Sequence, residues 1–435
     1  MTNEQASTEL ARLLGDPIFA SLLDEAMRDY LDWEQLIQRP LPAGISAAET
    51  WNLLTTLRRQ GATYFPVEAC DGTRYWYRLT QAAMRCLQTV DHHCRSDSLL
   101  HQAVLEREGQ RYLVRSRIQE AIATCQLDGV EISYEAAGRL LHGGHAAQTA
   151  AEQFVINAYE LLGEVEDLAT ETLSPDLAWR IYERVVERVE LSELGRVPLR
   201  HNLTDVYDPN SCLVPEEQAR VLQRLCDYAN CLTGDPDEPI PLRGYAFQSA
   251  FGYWQPLPDF NGTVARLMLR LFAVQHDYPV LGYLPVSRMI QEWADGKVEP
   301  PVVRFQKLEA PRMIDGWADY SRDALTFLQL MVAAIEKLRD YIVDTRRRDE
   351  ELQRVLDAEE GLNYRQRSVL SRALANPDAE FRIRHHHTTH RVVYATARAD
   401  LLDLVDKGYL YQEMRGKAFV FVPQPGLRER IGGGS

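Results

Sequence analysis

Apolar residues recur at three- and four-residue spacing in LARLLGDPIFASLLDEAM, EQFVINAYELLGEV, EEQARVLQRLCDYANCL and LTFLQLMVAAIEKLRDYI. That period marks one face of an α-helix, not the alternation of a strand, and it predicts a mainly α fold. The clearest exception is ATYFPVEACDGTRYWYRL, where aromatic runs flank Asp71-Gly72, a pair suited to a tight hairpin turn. A second irregular stretch, GRVPLRHNLTDVYDPNS, combines turn residues with short β-like pieces. At 435 residues and 45% hydrophobic content the chain can build a sizeable core, so disorder is excluded as its main state. That length suggests two or three domains. No run approaches the ~20 apolar residues of a membrane span, and the first residues lack a signal-peptide pattern. The expected location is the cytoplasm, with no membrane partner.

Charge is uneven. The whole chain carries −15, yet residues 361–431 hold 12 Lys or Arg against 7 Asp or Glu, a local +5 that leaves −20 for the rest. Nucleic-acid binding relies on Lys and Arg to displace counterions, so only this C-terminal stretch suits it. The seven cysteines form no CxxC pair, which argues for reduced, buried thiols and against a structural zinc site.

The charged segment TRRRDEELQRVLDAEEGLN marks a boundary. Beyond it NYRQRSVLSRALAN and ATARADLLDLVDKGYLY read as helices, the second with a stop at Gly408, and YLYQEMRGKAFVFVPQP reads as strand, turn, strand. Helices followed by a hairpin give the order of a winged helix-turn-helix. The predicted divisions are residues 1–95 (helices with the hairpin), 96–345 (helical core), 346–360 (linker) and 361–431 (winged helix).

YWQPLPDFNGTVARLM resembles the Fic (Fido-fold) signature HPFxDGNGRxxR, in a register fixed by Pro256, Asp259, Asn261, Gly262 and Arg266. Other pieces occur in the family's order. EAIATCQLDG resembles its inhibitory-helix motif, with Thr124, Asp128 and Gly129 at the matching positions. AEQFVINAYELLGEV resembles the helix that follows it, LGRVPLR the entry to the target-positioning flap, and LGYLPVSRMI the segment after the signature helix. DYLDWEQLIQRPLPAGISAAETWNLL resembles the N-terminal region of the long members, in which a C-terminal winged helix is also common. The resemblance implies a Fic-like helical core with a β-hairpin flap, ATP and Mg²⁺ as ligands, transfer of AMP to a hydroxyl of a protein target, and a homodimer.

The signature itself is altered. The general-base histidine is replaced by Gln255, whose amide cannot titrate near neutral pH; such a base is typically worth 10²–10⁴-fold. Phe260 replaces the first glycine, adding bulk where phosphates would lie, and Thr263 replaces the first arginine, a bidentate phosphate partner. Asp259 stands at the Mg²⁺ position, or else caps the helix. Asn261 and Gly262 keep part of an anion-binding turn, and Arg266 matches the second arginine. Asp128 stands for the family's inhibitory glutamate and is one methylene shorter; the resemblance allows an Arg266–Asp128 ion pair, the alternative being that Arg266 is only structural. Tyr253, Trp254 and Phe260 are core aromatics or the walls of an apolar pocket for a changed ligand.

Two further groups stand out. In RHHHTTH, His386 and His390 have the four-residue spacing of a metal pair, but no Cys or carboxylate nearby in sequence completes a set; a loop or short helix of the winged-helix module is the plainer reading. Arg391, Tyr394, Ala395, Thr396 and Arg398 lie on or just before the recognition helix, and Arg415 and Lys417 on the wing, as candidate DNA contacts. The alternative is a protein-docking module. Two functions follow: a degenerate Fic-fold regulator that senses a nucleotide and binds DNA, or a divergent transferase that works without the signature histidine.

Overall fold

A computed structural model describes residues 12–65, 74–143, 145–194, 215–294, 313–314, 317–359, 361–376, 379–415 and 418–432. The fold is mainly α. Its contacts divide the chain into two compact units, Met1–Asp340 and Tyr341–Ser435. The division falls inside one long helix, Ser321–Ala358, so the expected linker at 346–360 is helical as far as Ala358.

The first unit is built around the helix Asn261–Gln275, in which 10 of 15 residues are buried. A helix enclosed on nearly every side needs apolar residues all round rather than one stripe, which is what Val264, Leu267, Met268, Leu271 and Phe272 supply. The helix Ile240–Trp254 packs closely on it at Gly244, where a Cβ would lie 2.8 Å from Leu269 Cδ1 and Phe272 Cδ1. The helices Arg107–Leu127, Ala150–Gly163 and Pro175–Val185 complete the cage, and their apolar faces merge into one core with Ile118, Phe154 and Ile181. Local chemistry sets the helix starts: Ser46, Thr80, Thr149 and Ser174 each accept from a backbone N–H of the first turn.

The expected hairpin strands are present as Thr63–Tyr64 and Arg74–Tyr77, antiparallel; their Asp71-Gly72 turn lies outside the described residues. The sequence reading missed their partners. Arg74–Tyr77 pairs in parallel with Trp317–Asp319, which pairs with Met313–Ile314. Asp319 then receives Arg58 at 3.0 Å in a buried ion pair, and the Arg58 guanidinium lies 4.5 Å from the Tyr30 ring and 5.1 Å from that of Trp51. Tyr77 donates to Glu238 at 2.9 Å. These links tie residues 12–95 to the core within the first compact unit.

In the second unit, the helices Tyr364–Ala375, Ile383–His390 and Tyr394–Asp406 precede an antiparallel hairpin, Leu410–Arg415 with Ala418–Pro423. Phe381 adds a bridge to Phe421 across the hairpin. Arg391, in the left-handed region at φ 50°, turns the chain between the last two helices, and Gly408 at φ 75° ends the third. Buried Asp400 ties the helices together. It accepts from Asn363 Nδ2 at 2.8 Å, Arg365 Nε at 2.6 Å and His386 at 3.1 Å. Burial alone would raise its carboxyl; the hydrogen bonds from Arg365, Asn363 and His386 outweigh that and hold it below the ordinary value.

Asp400→Asn should therefore cost about 2 kcal/mol near neutral pH. The advantage of the ionised carboxylate is complete above the ordinary carboxylate range and is lost as pH falls through the depressed folded value. Urea unfolding of both proteins across acid pH should show their stabilities converging below about pH 4. A gap that persists unchanged into strong acid would rule out a charge-based role for Asp400.

Candidate functional site

The helix Arg107–Leu127 ends at Asp128, its C-cap, followed by Gly129 at φ 83°. Gly129 N and Val130 N fold back onto Gln126 O and Cys125 O, a glycine-terminated stop. Thr124 and Asp128 are four residues apart and so share one face of the last turn. That face meets the start of the Asn261–Gln275 helix. Asp128 Oδ2 accepts from Thr263 N at 2.7 Å, and Asp128 Oδ1 from Arg266 Nη2 at 2.8 Å. Arg266 also donates through Nε to Thr124 Oγ1 at 2.7 Å and through Nη2 to Thr124 O at 2.9 Å. The Asp128 and Arg266 side chains are each only 11% exposed. A Cβ on Gly262 would overlap both Asp128 Oδ1 and Arg266 Nη1, so this approach requires the glycine.

The loop before that helix is held by its own residues. Gln255 ends the preceding helix in the left-handed region, φ 46° and ψ 60°. Asn261 donates to Leu257 O and accepts from Leu257 N, both at 2.9 Å. Its side-chain amide therefore braces the loop at whose end the helix N-terminus lies. Asp259 Oδ1 accepts from Phe260 N at 2.9 Å. Phe260 corrects an expectation. Its backbone is left-handed, φ 50° and ψ 31°, and its ring is 3% exposed, packed 4.4 Å from the Phe154 centroid. The ring therefore lies in the core, not over the helix N-terminus. The conformation costs roughly 1–2 kcal/mol for a non-glycine residue, and burying the ring offsets it by about 1.5–3 kcal/mol.

Phe260 provides no side-chain cap for its helix. Asp128, 135 residues before Thr263, supplies the carboxylate instead. The site is an anion site at a helix N-terminus with a protein carboxylate already in it. Thr263 is fully buried, and its hydroxyl reaches Thr124 O at 3.4 Å. The phosphates of a nucleoside triphosphate would need the Thr263 N–H and the Arg266 guanidinium that Asp128 engages here, so they would have to displace its carboxylate. Asp259 is the carboxylate of the loop that would hold a Mg²⁺ ion, which is usually bound by one or two carboxylates together with phosphates and water. Burial, with the neighbouring Asp128 charge, pushes the Cys125 thiol well up, so it is not a nucleophile.

The sequence reading missed the support behind this site. Buried Glu120 accepts from Ser287 N at 2.9 Å and Ser287 Oγ at 2.7 Å, and pairs with Arg270 at 3.3 Å. This fixes one turn of the Arg107–Leu127 helix against the Asn261–Gln275 helix. A Glu four residues before Thr124 and an Arg four after Arg266 was the available signal.

In the second unit His386 is buried on Asp400, so the paired-histidine reading of His386 and His390 has no metal set to join. Arg391, Tyr394, Ala395 and Arg398 are exposed, and Thr396 is half-buried. The Arg415 side chain, Lys417 and all but Leu194 of LGRVPLR lie outside the described residues.

No protein-family model matches the sequence, and no curated protein matches it. Solved structures do. The chain is similar to a Fic family protein from Desulfovibrio desulfuricans G20, at 16% identity over 80% of this chain and 97% of that one, with a TM-score of 0.44. It is similar to a Fic domain containing signaling protein from Bacteroides thetaiotaomicron VPI-5482, at 14% identity over 60% and 96%, TM-score 0.39. A third similarity is to Fic-1 from C. elegans, at 15% identity over 74% and 79%, TM-score 0.39.

Gly262→Ala should force the Asp128 carboxylate away and cost about 1–3 kcal/mol. In an Asp128→Gly background the same change should cost little, because its main obstacle is gone. A double-mutant cycle read by thermal unfolding checks this; equal costs in both backgrounds would mean that Asp128 does not seat on Gly262.

Proposed function

We propose that this chain is a degenerate Fic-type protein that does not transfer AMP through the signature chemistry and acts as a DNA-binding regulator. The observation that carries the first half is the Asp128 carboxylate held on Thr263 N and Arg266, where a phosphate would bind. Gln255 supplies no base at the matching position. The ordered motifs that resemble the Fic family support the family reading. The second half is supported by the basic balance of residues 361–431 and by the exposed Arg391 and Arg398 beside a helix with no acid in its first turn. The Asp128–Arg266 contact would make the cleft responsive to an anion able to displace the carboxylate.

Incubation with α-labelled ATP and Mg²⁺ should leave no label on the protein or on added protein, in the wild type or in Gln255→His. Restoring a base helps only if the α-phosphate lies in line with the attacking hydroxyl, and the phosphate-binding groups are engaged elsewhere. Label transfer by the wild type, abolished in Asp259→Ala, would replace this reading with that of a divergent transferase.

The full chain should retard duplex DNA at about 50 mM salt, with affinity falling by a log–log slope near −0.9 for each phosphate neutralised. Arg398→Ala should reduce preference among sequences, and Arg391→Ala should weaken all of them alike. Absence of any retardation at tens of micromolar protein would remove the DNA half of the proposal.

A further inference from the structure

The exposed arginines of the second unit flank an apolar patch. Between Arg391 and Arg398, Val393 is 67% exposed and Tyr394 55% exposed, and Ala395 is exposed beside them. All three lie at the N-terminal end of the Tyr394–Asp406 helix. Neither arginine forms an ion pair with a described residue.

Negative charge is withdrawn from this end. The first turn has no acid, and Asp400 is buried under Arg365, Asn363 and His386. Asp403 accepts from Gln366 Nε2 at 2.6 Å and from Lys407. Asp406 is exposed, but at the far end of the helix. The surface therefore offers positive charge at its edges and methyl and aromatic groups at its centre. A wholly electrostatic phosphate-binding surface would have no use for that centre.

We infer that this helix end reads thymine methyl groups in the major groove of duplex DNA, through Val393, Tyr394 and Ala395, with Arg391 and Arg398 beside them on phosphate or guanine. The inference rests on the DNA-binding reading above and names what is read. Among the four bases, thymine alone presents a methyl group in the major groove, and apolar side chains are its natural contact. The small Ala395 lets the helix approach the base edges. Double-stranded RNA is excluded as the partner, since its major groove is too deep and narrow for side chains to read and uracil carries no such methyl group.

The test uses the full chain. A randomised duplex library is passed over immobilised protein at about 50 mM salt. The retained duplex is then resynthesised with deoxyuridine in place of thymidine, which removes only the 5-methyl groups. Affinity should fall about fourfold for each contacted thymine. The exposed double variant Val393→Ser with Tyr394→Ser should bind the two duplexes alike while unfolding at the wild-type temperature. Equal affinity of the wild type for both duplexes would overturn the inference and leave DNA binding standing. Failure to retain any duplex would overturn both, and point to a protein partner for this patch.

Discussion

The Asp128 carboxylate is the contact on which the candidate site turns, because it lies between two helix ends of opposite sign. It caps the C-terminus of Arg107–Leu127 and sits over the N-terminus of Asn261–Gln275. The first placement disfavours a negative charge and the second favours it, each by about 0.3–1 kcal/mol, so the two dipoles nearly cancel. What decides the arrangement is the charge-assisted bonding to Thr263 N and Arg266, at about 1.5–3 kcal/mol for each hydrogen bond. Gly262 permits the approach, and the Glu120–Arg270–Ser287 cluster keeps the two helices in register behind it.

The loop shows how backbone geometry and side-chain chemistry separate. The backbone at 260 holds a conformation that favours glycine, yet the residue is phenylalanine, kept there by the packing of its ring on Phe154. Asn261 spends both ends of its amide on Leu257, which shapes the turn without offering a group to a ligand. The result is a well-formed helix entrance whose polar groups serve the protein itself.

Much of this was legible in the sequence. The mainly α class followed from apolar spacing, and the two hairpins from their turn pairs and aromatic runs. The Asp128–Arg266 pair was legible because each residue sits in a recognisable motif. The direction of the Phe260 ring was not, since a left-handed backbone sends a side chain where residue type alone cannot reveal. The parallel pairing of Arg74–Tyr77 with Trp317–Asp319 was equally hidden: those strands are distant in the chain, and three residues are too few to show an alternating pattern. The continuity of Ser321–Ala358 escaped notice because a charged helical face reads like a linker when its apolar partners lie elsewhere in the sequence.

Asp128 is a cap residue, and this ties the end of one helix to the start of another. The carbonyls of its last turn are partnered: Thr124 O by Arg266, Cys125 O by Val130 N and Gln126 O by Gly129 N. The bonds that stop the Arg107–Leu127 helix and the bonds that fill the anion position are therefore one connected set. To withdraw the carboxylate from Thr263 N and Arg266 is to undo the terminus of one helix and the cap of the other together.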